Sequence, residues 1–236
     1  MSNLKGAVVT WLGHSAVQVL TPGGTQVIID PFLEQNPSYP KDYVLPDKLD
    51  LILVTHGHFD HIADAAPLAK KHNCTVVAIY EIASWLASKG VQKTSGMNIG
   101  GSFRFKDIVI TMVEARHSSG ITAGDVTLYG GEPAGFVLTI DNGPVLYHAG
   151  DTSVFGDMSL IGEMYRPAMA MLPIGGHFTM GPQEAARAAK LLGVESVLPL
   201  HYGTFPPLVG TPAELAEHLA GSPIEVIRLK AGESVH

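Results

Sequence analysis

The segment Thr55-His56-Gly57-His58-Phe59-Asp60-His61 packs three imidazoles and a carboxylate into six positions, His56 to His61, a density that is hard to satisfy except around a cation. On an extended segment His56 and His58 lie two residues apart, so their rings point the same way and can share one ion. Asp60 and His61 follow where the apolar run Leu51–Val54 gives way to helix formers, and the turn there can direct them to a neighbouring ion. Other residues are open to more than one reading. His14 and His177 sit in Gly-flanked loops, as leaving-group donors, substrate contacts, partners of a ligand, or plain loop histidines. His148 alternates with a strand pattern and reads as packing or as support for a ligand; Asp30 orients a ligand histidine or forms an Asp-Pro turn. The single cysteine, Cys74, allows no intrachain disulfide, agrees with a reducing compartment and reads as core packing.

These groups need a scaffold. At 236 residues with 46% apolar and 16% charged, the chain suits one ordered domain over 1–236. Short Val/Ile/Leu runs recur: Ala7–Trp11, Val27–Ile29, Leu51–Val54, Thr75–Ile79, Ile108–Val113, Gly135–Ile140, Val145–Tyr147, Ala168–Leu172, Ser196–Leu200 and Ile224–Leu229. Thr21-Pro22-Gly23-Gly24 and Asp141-Asn142-Gly143 are placed to close hairpins. Helices are expected over Ile62 to His72, Glu81 to Ser88, Pro182 to Gly193, and after the capping box Thr211-Pro212-Ala213-Glu214. Helices follow strands in both halves, which predicts an α/β (α+β) four-layer αββα sandwich. Leu51–Val54 running into His56 and Val145–Tyr147 running into His148 and Asp151 hint at a duplicated half-domain. Residues Leu33 to Lys48, with three prolines, form either a lid or substrate wall, or a structural connection.

Lys plus Arg number 15 against 22 Asp plus Glu, a net charge of −7, and no basic stripe exists, which argues against nucleic-acid partners. The opening residues lack the apolar core of a signal peptide, and no run reaches the roughly 20 apolar residues of a membrane span. A cytoplasmic location and a small-molecule substrate are the expectations.

The motif at 55–61, with Ile29-Asp30-Pro31, Arg116-His117-Ser118, Gly150-Asp151-Thr152 and Pro199-Leu200-His201-Tyr202 in that order, resembles the metallo-β-lactamase superfamily. Trp11-Leu12-Gly13-His14-Ser15 and Pro173-Ile174-Gly175-Gly176-His177-Phe178-Thr179 narrow the resemblance to small hydrolases similar to L-ascorbate-6-phosphate lactonase (UlaG-like). The resemblance implies a first metal on His56, His58 and His117, a second on Asp60, His61 and His201, and Asp151 between them. Independently, His117, Asp151 and His201 each follow an apolar run, and strand ends converge on one rim of a sandwich. A set of imidazoles and carboxylates without thiolate suits two divalent ions per chain, zinc or manganese first, iron or nickel next. The expected chemistry is hydrolysis by a hydroxide shared between the ions, oriented by Asp60, with His177 or Tyr202 or a metal-bound water protonating the leaving group. The expected substrate is a lactone or small phosphorylated metabolite. A phosphodiesterase or nuclease and a non-catalytic metal-binding or assembly protein are the alternatives, and the resemblance also suggests a homo-oligomer.

Overall fold

The computed structural model describes residues 4–236; residues 1–3, the first part of the opening stretch read above for a signal peptide, lie outside the described residues. The first half runs β1 (Val8–Trp11), β2 (Val17–Leu20), β3 (Gln26–Ile29), β4 (Leu51–Val54), α1 (Phe59–Ile62), α2 (Ala65–His72), β5 (Thr75–Ile79), α3 (Tyr80–Ser88) and β6 (Thr94–Met97). The second runs β7 (Ser102–Phe105), β8 (Ile108–Glu114), β9 (Gly120–Ala123), β10 (Val126–Tyr129), β11 (Ala134–Ile140), β12 (Val145–His148), α4 (Met158–Tyr165), β13 (Met169–Pro173), α5 (Pro182–Leu192), β14 (Ser196–Leu200), α6 (Pro212–His218), β15 (Glu225–Val226) and β16 (Ser234–Val235).

Two seven-stranded sheets result, ordered β16-β1-β2-β3-β4-β5-β6 and β15-β14-β13-β12-β11-β8-β7, with β9 and β10 as a separate hairpin. Their inner faces share one core, in which Val9, Val27 and Ile29 meet Ile110, Phe136, Met171 and Leu198. The period of two is clean in the second sheet. Met169 and Met171 of β13 face the inter-sheet core, whereas Ala170 and Leu172 face Met158, Ile161, Ala185 and Ala189 of the helices. α2 and α3 pack on β4, β5 and β6, which completes the four-layer αββα order. Central strands such as Leu51–Val54 are buried at every position because both faces are covered, so they read as unbroken apolar runs.

The sheets repeat one pattern. From β16 to β3 the pairs are antiparallel and from β3 to β6 parallel; from β7 to β12 they are antiparallel and from β12 to β15 parallel. The half-domain hint thus has a topological counterpart, with one correction: β12 corresponds to β3, not to β4, so Asp151 is the counterpart of Asp30 rather than of His56.

Several elements differ from expectation. The helix expected over Ile62 to His72 is split, because the Asp64 N–H bonds to the Pro31 carbonyl at 3.0 Å instead of continuing the α1 ladder. Only Glu225–Val226 of the run Ile224–Leu229 pairs with β14. Strands β2, β6, β7, β9, β10 and β16 and helix α4 were not marked by apolar runs; β10 is exposed along its whole length. The capping box at Thr211 and Glu214 is formed, and Gly193 ends α5 at φ 64°. Cys74 is buried, which pushes its thiol up to about 11.

Candidate metal centre

Strand ends deliver the chemistry. His56 lies two residues beyond β4, His58 precedes α1, and Asp60 and His61 lie inside that one-turn helix. His14 and His117 stand at equivalent positions of the two halves, each three residues beyond its strand and followed by serine. Three of these strand-end residues, His14, Asp30 and His201, hold φ values of 54°, 48° and 54°. Left-handed backbone costs a non-glycine residue roughly 1–2 kcal/mol, so the surrounding bonds must hold it. The His201 N–H donates to the His14 carbonyl at 3.0 Å, and Trp11 Nε1–H donates to the same carbonyl at 2.9 Å.

The ligand atoms of His56, His58 and His117 form one tight group, and those of His14, Asp60, His61 and His201 form another. Asp151 lies between them. Its Oδ2 is 2.9 Å from His201 Nε2, 3.3 Å from His61 Nε2, 3.7 Å from His117 Nε2 and 4.0 Å from His56 Nε2. The buried carboxylate of Asp30 organises the cluster from behind. It accepts from the Thr55 N–H at 2.8 Å, from Thr55 Oγ1–H at 2.6 Å and from His61 Nδ1–H at 2.8 Å. With its proton given to Asp30, Thr55 Oγ1 accepts from His56 Nδ1–H at 3.0 Å. His58 Nε2 meets Ser118 Oγ at 3.2 Å, and His58 Nδ1 faces His56 Nε2 at 3.0 Å. Each of the three rings is therefore anchored through one nitrogen and presents the other to the cluster, as metal-binding imidazoles require.

Charge follows from burial and neighbours. Burial pushes His56, His58 and His117 below the ordinary imidazole value, so they are neutral and have lone pairs to offer. Burial also opposes charge on His61, but Asp151, Asp30 and Asp60 around it win and hold its pKa well above 6.5. For Asp60, burial disfavours ionisation, yet His61 and the hydrogen bond from His14 outweigh it and keep the carboxyl ionised. Asp151 follows the same balance through His201 and His61. His14, pushed down to about 4 by burial, is neutral and gives Nε2–H to Asp60 Oδ2 at 3.0 Å.

His61 Nε2, Asp151 Oδ1, His201 Nδ1 and His14 Nδ1 are buried without a hydrogen-bond partner. Unmet polar atoms of this kind cost about 1–3 kcal/mol each, and a divalent cation beside His61 Nε2 and Asp151 Oδ1 would remove that cost. The donor set therefore fits the metals that the sequence leads one to expect.

Not every expected residue joins the cluster. His177 is exposed, meets Phe178 edge-on with ring centroids 4.4 Å apart and borders a separate hollow with Ser153 and Glu184, because the turn after β13 carries it outward. Tyr202 lies against Trp11 with ring centroids 5.2 Å apart, and burial raises its phenol to about 12; it does not line the cavity. Neither His177 nor Tyr202 is among the residues that line the cavity beside the cluster. His148 lies behind the cluster: Nε2–H donates to Ser15 O and Nδ1 accepts from the Gly150 N–H, which ties the turn before Asp151 to the other sheet. Residues 33–48 do not line the cavity, and the Tyr43 hydroxyl donates to Gln18 Oε1 on the first sheet at 2.9 Å, which ties the loop down there. Thr55, Ser118 and the cavity residues Phe59, Thr122, Phe178 and Phe205 went unassigned in the sequence, although Thr55 and Ser118 adjoin motif histidines.

Residues 25–202 match the beta-lactamase superfamily domain. The chain belongs to that superfamily. Within it, a UPF0173 metal-dependent hydrolase of Koribacter versatilis is 50% identical over 98% of this chain and 99% of its own length. One from Rubrobacter xylanophilus is 49% identical over 98% of this chain and 97% of its own. Among solved structures, a metallo hydrolase of Ignicoccus hospitalis is 37% identical, covers 97% of both chains and superposes with a TM-score of 0.86. Among the described residues no helix is long and apolar enough to cross a membrane.

Proposed function

We propose that this superfamily member is a metal-dependent hydrolase that cleaves an ester-type bond at a dinuclear centre. His56, His58 and His117 would hold one ion and Asp60, His61 and His201 the other, with Asp151 shared; zinc and manganese suit the nitrogen and oxygen donors best. When bound, the ions lower the pKa of water toward neutrality and polarise the oxygen of the bond under attack. Asp60, ionised and held by His14, accepts a hydrogen bond from the attacking water and sets its direction. The water oxygen bonds to the acyl carbon, the acyl C–O bond breaks, and one water proton ends on the departing alkoxide oxygen. Asp151 and Asp30 keep the histidines aligned through that sequence.

The observation that carries this reading is Asp151 Oδ2, within 4.0 Å of ring nitrogens from both histidine groups. Its test is metal titration of the purified chain with Zn²⁺ or Mn²⁺, read by calorimetry and elemental analysis, followed by a panel of lactones and esters. Two equivalents per chain, both weakened in Asp151→Ala, and turnover that requires them are expected. One equivalent, or turnover unchanged after chelation, would overturn the reading.

A further inference from the structure

We infer that the aromatic side chains lining the cavity beside the histidine cluster select substrates whose ester-type bond carries an uncharged, apolar acyl arm, at the expense of phosphorylated or otherwise anionic ones. The inference rests on the hydrolase reading above and names the substrate class of that same site.

The cavity measures about 620 Å³. It is lined by His58, Asp60, His117, Asp151 and His201, by the hydroxyl residues Ser118 and Thr122, and by Phe59, Phe178, Phe205 and Pro207, of which Phe59 and Phe205 lie together with ring centroids 6.4 Å apart. Phe59 and Phe178 are 51% and 54% exposed, a large apolar area left in water beside a polar centre. The aromatic lining is braced. Fully buried Phe32 meets Phe59 edge-on at 5.8 Å, and Phe205 meets the His14 ring at 5.5 Å, so the aromatic surface is anchored to the group that holds Asp60. Such a surface gains free energy only when an apolar ligand covers it.

The charge pattern excludes the other class. No lysine or arginine lines the cavity among the described residues, and the ionised carboxyls of Asp60 and Asp151 are on its lining. Arg116, next to His117 in sequence, turns away: its Nε donates to Glu114 at 3.0 Å and its guanidinium lies 5.5 Å from the Phe155 ring. A phosphate or carboxylate on the arm, away from the bond being cleaved, would lie against phenyl rings with no counter-charge, and desolvation would disfavour it. The phosphorylated metabolite expected from the sequence is thereby set aside in favour of an apolar ester or lactone.

The test uses the full chain loaded with Mn²⁺ or Zn²⁺ and a 4-nitrophenyl ester series from acetate to octanoate, together with the mono-4-nitrophenyl ester of adipate. Expected is a kcat/KM that rises about two- to fourfold per methylene, a smaller slope in Phe178→Ser, and adipate at least about tenfold below hexanoate. In parallel, calorimetry compares butyrate with octanoate as ligands of the loaded chain, a reading independent of turnover. Turnover with no chain-length slope, equal binding of the two carboxylates, or adipate matching hexanoate overturns the apolar-arm assignment and leaves the hydrolase reading intact. Absence of turnover with octanoate still binding several-fold tighter overturns the hydrolase reading and leaves the aromatic lining assigned. Absence of both removes both.

Discussion

Asp30→Asn isolates the group on which the centre's alignment depends. Asparagine has nearly the same volume and tolerates φ near 48°, so backbone and packing survive. What changes is the sense of the hydrogen bonds. Asp30 now accepts three, from the Thr55 N–H, Thr55 Oγ1–H and His61 Nδ1–H. An amide can still accept from the Thr55 N–H, but its NH₂ turns toward Thr55 Oγ1 and His61 Nδ1, where a carboxylate oxygen had been. His61 must then accept at Nδ1 and place its proton on Nε2, the atom 3.3 Å from Asp151. A protonated Nε2 cannot bind a metal. Loss of an outer partner of this kind weakens metal binding about 10- to 100-fold, roughly 1.4–2.7 kcal/mol. The loss should fall on the Asp60, His61 and His201 side, because His56 feels Asp30 only through Thr55 Oγ1. Chelator competition, with circular dichroism to establish folding, reads the two affinities. A folded Asp30→Asn whose two metal affinities stay within twofold of the parent would refute the tautomer argument.

Ser118→Ala removes the contact to His58 Nε2 and should lower affinity at the His56, His58 and His117 group by up to about tenfold while leaving the other group unchanged, by the same competition assay. His14 is held at about 4 against 6.5 by burial, with the bond to Asp60 offsetting only part. Between those values the folded, metal-free chain binds fewer protons than the unfolded chain, so stability falls as pH drops from about 6.5 to about 4. The contribution from this ring reaches about 3 kcal/mol, and urea titrations should find a shallower fall in His14→Gln. Gly175→Ala would put a Cβ 2.1 Å from the His201 carbonyl oxygen. A loss of about 2–4 kcal/mol in urea unfolding, with weaker metal binding through His201, is expected; a parent-like midpoint and affinity would show that the backbone there yields freely.

Much of the site was legible because its residues lie in short segments with strong local rules. His56, His58, Asp60 and His61 span one strand end and one turn of helix, so their spacing alone brings them together. The central strands were legible for a related reason: burial on both faces leaves unbroken apolar runs such as Leu51–Val54 and Ser196–Leu200. β6 and β7 have half-exposed faces, and β10 is exposed throughout, so no such run marks them.

The residue types alone thus determined a histidine and carboxylate centre, the strands that carry it and an αββα order. Only the tertiary structure decided which loop side chains turn inward. His14 and His177 both follow strands, both have φ near 55° and both sit beside glycine, yet His14 is buried on Asp60 while His177 faces solvent. The difference arises from what packs against each loop. Trp11, Phe32 and the His201 backbone close over His14, whereas the turn after β13 places His177 beyond the rim of the cavity. The aromatic lining has the same origin: Phe59, Phe178 and Phe205 are distant in sequence, and only the meeting of the two halves brings them to one cavity.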